Sequence, residues 1–146
     1  MRLSTKGRYA VMAMTDLAKN SDGRAVSLAD IALRQDISLA YLEQLFARLR
    51  RCGLVTSVRG PGGGYQMARN AADTVISDIV KAVEEPLETV RCQTGSGGCM
   101  PGGERCLTHD LWEELGNQID GFLSSVSLAD VLARRLRPAR KVSQLA

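Results

Sequence analysis

The pattern of apolar and polar residues at the start of the chain predicts an amphipathic helix. Ala10, Met14 and Leu17 recur at intervals of three or four residues, the spacing that aligns side chains on one helical face. This helix is expected to run from about Thr5 to about Asn20, with one buried stripe and the remainder exposed.

Two more helices are predicted by serines that stand directly before apolar runs, where a side-chain oxygen can cap the first turn. The second helix begins after Ser27, with Asp30 in a capping-box-like position, and the third begins after Ser38. The third helix is expected to continue to about Arg51, because Gly53 offers the left-handed stop typical of helix C-termini.

The third helix has two chemically different faces. At about 100° per residue, its apolar side carries Leu42, Leu45, Phe46 and Leu49. The opposite side carries Ala40, Gln44, Ala47 and Arg51, flanked by Glu43 and Arg48. Two helices joined by a short turn, with a polar outward face on the second, predict a helix-turn-helix.

A β-hairpin is predicted directly after the third helix. Residues 54–58 alternate between apolar and polar, residues 59–64 are rich in glycine, and residues 65–68 return as a second strand. The turn lacks the Lys-Ser/Thr ending of a nucleotide-binding loop and leads into a strand, so a nucleotide site is excluded. A hairpin in this place predicts the wing of a winged helix-turn-helix.

The C-terminal half is predicted to be helical on both sides of a cysteine-rich loop. Ser77 is expected to cap a fourth helix over residues 78–85. Thr108 is expected to cap a long helix that ends at about Ser125, and Ser127 a short last helix. The long helix carries an apolar stripe formed by Leu111, Trp112, Leu115, Ile119, Phe122 and Val126. Dimerisation is preferred to folding back within one chain as the way to bury it, since helix-turn-helix proteins commonly form two-fold dimers.

The predicted fold is therefore mainly α with a small β-hairpin: a winged helix-turn-helix plus a long C-terminal dimerisation helix. Residues 1–85 are assigned to the winged helix-turn-helix domain and residues 86–109 to a Cys/His loop. Residues 110–135 are assigned to dimerisation and packing helices, and residues 136–146 to a mobile tail.

The charge distribution separates the two halves of the chain. Residues 1–70 carry 11 Lys+Arg against 5 Asp+Glu, residues 71–146 carry 8 against 11, and the balances of +6 and −3 give the net charge of +3. A basic domain is expected to bind a polyanion. Together with the predicted wing, this indicates double-stranded DNA as the partner.

The composition argues against other classes of protein. No apolar run of about 18 residues predicts a membrane span, and the basic N-terminus lacks the apolar segment of a signal peptide. A cytoplasmic location is expected, where cysteines stay reduced. With a single histidine and no apparent set of acid, base and nucleophile, the chain is not expected to be an enzyme.

The loop between the helical regions carries the most specific chemistry in the sequence. The pattern Cys-x6-Cys-x6-Cys-x2-His is formed by Cys92, Cys99, Cys106 and His109, with five glycines and one proline between them. Glycine lets a short loop fold its side chains around a common centre, and thiolates select zinc, copper(I) or iron–sulfur clusters. The six-residue gaps favour an iron–sulfur cluster over zinc, whose sites usually contain a close cysteine pair, but both interpretations stay open.

Three segments resemble the bacterial IscR-type iron–sulfur cluster regulators: residues 1–10 (MRLSTKGRYA), 37–46 (ISLAYLEQLF) and 58–65 (VRGPGGGY). The resemblance covers about residues 1–135. It implies a homodimeric winged-helix transcription factor that binds a [2Fe–2S] cluster and controls genes for iron–sulfur assembly. It also implies the iron–sulfur assembly machinery as the cluster donor.

The resemblance places the cluster ligands on the three cysteines of the loop and on His109. Each gap between cysteines is one residue longer than the family's usual pattern, an extension that glycine can absorb. The family's base-contacting positions fall on Ala40, Glu43, Gln44 and Arg59. Ala40 stands where the family usually has serine, so one polar contact to DNA is lost.

Other DNA contacts are expected close to these positions. Tyr9 lies at the N-terminus of the first helix, where N–H groups and the helix dipole favour a phosphate, although a solvated helix end is an alternative. Tyr41 directly follows Ala40 and is also expected to contact DNA. Gly60, at the wing tip, permits close approach to a duplex.

The chemistry of the reading side chains indicates which bases they recognise. Gln44 can pair with adenine N6 and N7, and Glu43 can accept a hydrogen bond from cytosine N4. Arg59 can reach into a minor groove.

Three functions remain open at the level of sequence. They are a cluster-sensing transcription regulator, a zinc-stabilised DNA-binding protein without redox sensing, and a cluster carrier that uses the helix-turn-helix as a scaffold. A sister branch of the family senses nitric oxide with the same fold and three cysteines, so nitric oxide is an alternative signal.

Overall fold

The computed structural model describes residues 4–84 and 100–136. Within these residues the fold is mainly helical with one antiparallel hairpin, which confirms the predicted fold class. The N-terminal part contains α1 (Thr5–Asn20), α2 (Leu28–Gln35), α3 (Leu39–Arg51), β1 (Val55–Val58) and β2 (Gly64–Met67). The chain continues with a short 3₁₀ helix (Ala71–Asp73), α4 (Ile76–Val83), α5 (His109–Ser125) and α6 (Leu128–Leu132).

The first three helices lie where the sequence predicted them, because their ends are set by local signals. The Ser27 hydroxyl accepts the Asp30 N–H at 3.1 Å, and the Ser38 hydroxyl accepts the Tyr41 N–H at 3.1 Å. After α3, Gly53 has a φ of +73°, the left-handed conformation that ends helices. Both predicted serine caps and the glycine stop are confirmed.

The predicted cap of the fourth helix is wrong. α4 begins at Ile76, and the buried Ser77 hydroxyl accepts a hydrogen bond from the Ser124 hydroxyl at 3.0 Å. Ser77 therefore links α4 to α5. Thr108 does precede α5, but its hydroxyl oxygen accepts the indole N–H of Trp112 at 3.2 Å and makes no capping bond.

The last helix shares the core of the N-terminal helices. The Ile76 N–H donates to the Val126 carbonyl at 2.9 Å, and the Leu128 N–H donates to the Thr74 carbonyl at 2.9 Å. This pairing satisfies a backbone donor at the start of α4 without a side-chain cap. Leu128 is fully buried and α6 packs against α1. Ser127 caps α6 through a capping box, as predicted.

The hairpin is attached to both helices of the helix-turn-helix. Val26, before α2, exchanges two backbone hydrogen bonds with Tyr65 of β2, at 2.9 and 2.8 Å. The Tyr65 ring meets the Phe46 ring of α3 edge-on at a centroid distance of 5.0 Å. Arg50 of α3 donates to the Ser57 hydroxyl of β1 at 3.3 Å. These contacts fix the wing relative to α3.

Helix α1 is the central element of the core. It contacts α2, α3, α4, α6 and β2. Its buried apolar residues are Ala10, Ala13, Met14 and Leu17. They pack in one cluster with the predicted apolar face of α3 (Leu42, Leu45, Phe46, Leu49) and with Ile79, Val80 and Val83 of α4. Full burial of one such large apolar side chain contributes about 1.5–3 kcal/mol, so this cluster holds the three helices together.

A buried carboxylate joins α1 to α2. Asp16 is 5% exposed and accepts hydrogen bonds from Arg34 at 2.8 and 3.0 Å and from Gln35 at 2.8 Å. Burial raises the pKa of Asp16, but hydrogen bonds from Arg34, Gln35 and Asn20 and the charge of Arg34 outweigh burial. The pKa of Asp16 therefore lies below its ordinary value.

Asp16→Asn is expected to lower the free energy of unfolding at neutral pH by about 2 kcal/mol, because it removes hydrogen bonds to a charged acceptor. Arg34 is 40% exposed, so solvent screens part of the ion pair. Since the folded pKa is lowered, this contribution is present above the unfolded pKa of about 4 and is lost as pH falls through the folded pKa. Urea unfolding of both proteins between neutral and acid pH measures the effect. If the difference in free energy of unfolding between the two proteins stays constant below about pH 4, the loss comes from packing and not from the charge of Asp16.

Candidate functional site

The outward face of α3 presents Ala40, Glu43 and Gln44 to solvent. Capping by Ser38 orders the first turn of the helix, which contains Ala40 and leads directly to Glu43 and Gln44. Hydrogen-bonding side chains on a rigid, exposed helix can read base edges, whereas Ala40 can offer only apolar contact.

The wing tip lies at the end of the hairpin. Arg59 and Gly60 are both exposed there. The Gly63 N–H donates to the Gly60 carbonyl at 2.9 Å, and Gly60 has a φ of +100°, so glycine is needed to close the turn. The turn leaves the Arg59 side chain at the edge of the wing.

Tyr9 and Tyr41 form a contact between α1 and α3. Their rings meet edge-on at 5.8 Å and 83°, and both pack partly against the core. Burial raises the pKa of Tyr41, the charges of Tyr9 and Glu84 add to this, and Arg48 opposes it. Tyr41 therefore stays a neutral hydroxyl at physiological pH, able to donate to a phosphate.

Arg48 is exposed beside the reading residues, but its guanidinium is held by a contact within the chain. Its guanidinium donates to the Val83 carbonyl at the end of α4, at 2.7 Å. The helical pattern of α3 held no signal of this contact, because Val83 lies 35 residues further along the chain.

Two of the four predicted metal ligands lie at the start of α5. The His109 N–H donates to the Cys106 carbonyl at 3.0 Å, which holds the two residues within one turn. His109 is buried and Cys106 is partly exposed, with its sulfur 3.8 Å from the Thr108 hydroxyl. Cys92 and Cys99 lie outside the described residues. The thiol and imidazole donors fit an iron–sulfur cluster or another thiophilic metal.

Two carboxylates adjoin His109. Its Nε2 atom lies 3.9 Å from a carboxylate oxygen of Glu113, longer than a hydrogen bond. Ligand atoms of His109, Asp110 and Glu113 all lie within 4.8 Å of one another. A carboxylate beside a metal-binding histidine commonly orients the ring. The sequence pattern missed this neighbourhood, although the i, i+4 spacing of His109 and Glu113 on one helix was a signal for it.

A wing attached to a helix-turn-helix, an exposed polar face on the second helix and a basic N-terminal half define a DNA-binding transcription regulator. The chain belongs to the Rrf2 family of iron-dependent transcriptional regulators, whose family model matches residues 3–134. It is similar to the HTH-type transcriptional regulator IscR of Escherichia coli O1:K1, with 53% identity over 132 residues, 90% of this chain and 80% of that protein.

Solved structures agree with this family assignment. The structure of T. potens IscR matches with a TM-score of 0.74 and 38% identity, covering 95% of this chain and 94% of that one. CymR, the global cysteine regulator of B. subtilis, matches with a TM-score of 0.76 and 32% identity, covering 92% of this chain and 98% of that one. The resemblance seen in the sequence is confirmed. Because IscR and CymR share this fold, the fold alone does not identify the signal to which a regulator responds.

None of the helices in residues 4–84 and 100–136 is both long and apolar enough to cross a bilayer.

Gln44→Ala is expected to weaken binding to the preferred duplex by about 1–3 kcal/mol and to relax the sequence preference. The loss follows from an adenine edge left without its bidentate partner. Competition between a duplex selected by the wild-type protein and a random duplex measures both effects, and Arg59→Ala should also weaken selected binding. Equal losses on the two duplexes would contradict a base-reading role for Gln44.

Proposed function

We propose that the chain is a homodimeric transcription regulator that holds a [2Fe–2S] cluster and controls genes for iron–sulfur cluster assembly. The cluster ligands are Cys92, Cys99, Cys106 and His109. The protein acts in the cytoplasm and obtains its cluster from the iron–sulfur assembly machinery. The DNA-binding set consists of Tyr9, Ala40, Tyr41, Glu43, Gln44, Arg59 and Gly60.

The proposal of a cluster rests mainly on the Cys-x6-Cys-x6-Cys-x2-His pattern, with Cys106 and His109 held together at the start of α5. Support comes from relatives that carry the name IscR and from the description of the family as iron-dependent regulators. When bound, an iron–sulfur cluster supplies a redox-active and removable group. A histidine in place of a fourth thiolate makes the ligand set less negative, and the cluster would then be held less tightly.

The proposal of a dimer rests on the apolar stripe of α5. Leu111 and Phe122 are 60% and 46% exposed, whereas Trp112 and Ile119 on the same stripe are partly buried. At about 100° per residue, Leu111 and Phe122 point within roughly 20° of each other. One edge of the stripe therefore packs within the chain and the other stays uncovered. A second copy of α5 would cover it, in keeping with the two-fold dimers of helix-turn-helix proteins.

The proposed mode of DNA binding follows from the exposed positions. Helix α3 enters the major groove, where Glu43 and Gln44 meet base edges and Ala40 gives an apolar contact. Arg59 and the wing tip lie along the neighbouring groove. In a dimer, the two α3 helices would read half-sites about one helical turn apart.

An anaerobic visible spectrum of freshly purified protein, with iron, sulfide and zinc analysis, tests the cluster. The expected result is a brown protein that absorbs above about 400 nm and contains equal amounts of iron and sulfide. Cys106→Ser, a change of one ligand atom, should lose both colour and iron. Binding to a selected duplex with and without the cluster then gives the direction of control.

Other results would assign other functions. A colourless protein with stoichiometric zinc and no cluster after reconstitution would indicate a zinc-stabilised regulator. Nitric oxide is the alternative signal to cluster supply. Rapid loss of the cluster on exposure to nitric oxide, with DNA binding that does not change with cluster supply, would indicate a nitric-oxide-responsive regulator. A cluster-loaded protein that discriminates no duplex from random DNA would indicate a carrier.

A further inference from the structure

The C-terminal end of α4 is bonded to two other helices at once. The carbonyl of Val83 accepts the Arg48 guanidinium of α3 at 2.7 Å, and the carboxylate of the next residue, Glu84, accepts the Gly7 N–H of α1 at 3.1 Å. Val83 is 1% exposed, so the end of α4 is anchored in the core. Consecutive residues of one turn thus tie together α1 and α3.

The contact between Glu84 and α1 is closely fitted. Gly7 is buried, and a Cβ atom added there would lie 3.0 Å from a carboxylate oxygen of Glu84. The carboxylate faces the first turn of α1, where N–H groups and the helix dipole favour negative charge. The N-terminus of α1, which the sequence predicted as a site for a DNA phosphate, therefore already binds the carboxylate of Glu84.

The same junction adjoins two residues of the DNA-binding set. Tyr9, two residues after Gly7, meets the ring of Tyr41 from α3. The charges of Glu84 and Arg48 both act on the Tyr41 hydroxyl. A displacement of the α4 end would therefore alter the surroundings of the first turns of both α1 and α3.

Helix α4 also bonds to the helix that carries the histidine ligand. Ser124 donates to Ser77 at 3.0 Å, and Lys81 forms an ion pair with Asp120 at 2.9 Å. In the sequence, the segment that bears Cys92 and Cys99 begins directly after Glu84, and α5 begins with His109. The chain on both sides of the ligand segment is thus bonded to α4 or is part of it.

We propose that Arg48 and Glu84 are positioning residues that hold α3 and α1 in their DNA-binding arrangement through the end of α4. We further infer that this junction couples the cysteine segment to the DNA-reading face. The positioning role rests on DNA binding, and the coupling rests also on the proposed cluster.

Salt dependence of DNA binding separates a positioning arginine from a phosphate-binding one. Each phosphate contact contributes about 0.9 to the slope of log K against log salt. Arg48→Gln should weaken binding to a duplex selected from a random pool about tenfold, the effect of one hydrogen bond from a charged donor, with the slope unchanged. Arg48→Lys, which keeps a charged donor where glutamine has only a neutral one, should recover part of the loss. Arg51→Gln on the exposed face of α3 serves as the contrast, since a phosphate contact there would lower the slope by about 1.

Three results would overturn the role of Arg48. The first is a reduced slope, which would make Arg48 a phosphate contact. The second is unchanged affinity in Arg48→Gln. The third is an equal loss on selected and random duplexes, which would indicate general destabilisation and not a displaced reading helix. Because Arg48→Lys retains the charge and a donor, it keeps the test decisive if the glutamine variant folds poorly.

The pair Glu84→Ala and Glu84→Gln separates a hydrogen-bond acceptor from a negative charge. The alanine variant should bind the selected duplex about tenfold more weakly, whereas the glutamine variant keeps an acceptor oxygen and most of the affinity. Asp22→Ala, which removes one exposed carboxylate in the turn after α1, controls for net charge. Higher affinity of both Glu84 variants for all DNA would instead show that Glu84 repels phosphate, and would overturn the positioning role.

The coupling is tested by the ratio of affinities of cluster-loaded and cluster-free protein for the selected duplex. Glu84→Ala should bring this ratio closer to one while its iron and sulfide content equals that of the wild type. A wild-type ratio that differs from one and persists in Glu84→Ala would overturn the coupling alone. A wild-type ratio of one would overturn the coupling together with the proposed cluster control, and the salt dependence would still decide the positioning role.

Discussion

Replacing Gly64 by alanine is expected to detach the wing and to lower the free energy of unfolding by about 3 kcal/mol or more. A Cβ atom at this position would overlap the Val26 carbonyl oxygen and lie 2.8 Å from the Ser27 nitrogen. Both are backbone atoms, which cannot turn aside as a side chain does. The clash falls beside the two hydrogen bonds between Val26 and Tyr65 that attach the hairpin to the helix-turn-helix.

Gly62→Ala is the matched control for this prediction. Gly62 has a φ of +73°, but no atom lies within 4 Å of an added Cβ, so alanine should cost only the left-handed strain of about 1–2 kcal/mol. Urea unfolding and binding to the selected duplex are measured for both variants. Gly64→Ala should lose stability and DNA affinity together. Equal losses in the two variants would show that backbone strain, and not the contact with Val26, sets the requirement for glycine.

The helix-turn-helix could be predicted from the sequence because its signals are local. The serines before α2 and α3 act on N–H groups three residues away, and the spacing of the apolar face of α3 fixes which side is buried. Turn residues likewise mark the hairpin. Each of these features depends on residues within a few positions of one another, so one sequence suffices to find them.

The junctions between helices could not be predicted in this way. Arg48 lies on the exposed side of α3, yet its guanidinium bonds to Val83, which comes from a helix 35 residues later. Ser77 looked like a cap, but in the fold its hydroxyl accepts a hydrogen bond from Ser124, 47 residues away. Asp16 is polar at a position where α1 is buried, and only Arg34 and Gln35 of α2 explain it. Such contacts depend on how helices pack, which helical periodicity does not specify.

The candidate metal site lies between these two cases. The identity and spacing of its donors come from the sequence alone, and the structure adds the buried position of His109 and its neighbour Glu113. The i, i+4 spacing already indicates that Glu113 adjoins His109, but only once both residues are placed on the helix that begins at His109. The ligand assignment as a whole stays a prediction.

Phe122→Asp is expected to convert the protein to a monomer and to weaken binding to a two-half-site duplex by at least about 100-fold. The side chain is 46% exposed, so a carboxylate there can remain hydrated in the monomer, whereas a dimer interface would bury two such charges against apolar surface. Losing the second reading helix removes the gain from linked binding, which is about 10²–10⁴-fold. Sedimentation and binding to duplexes with one or two half-sites measure the two effects.

Asn117→Asp provides the matched control, because it adds the same charge to the same helix. At about 100° per residue, Asn117 points roughly 140° away from Phe122, and it is exposed. This variant should remain dimeric and keep its affinity. A monomeric Phe122→Asp that still binds two half-sites as tightly as the wild type would separate dimerisation from DNA recognition. A dimeric Phe122→Asp would show that the uncovered edge of α5 is not the interface, because a buried pair of like charges could not be accommodated there.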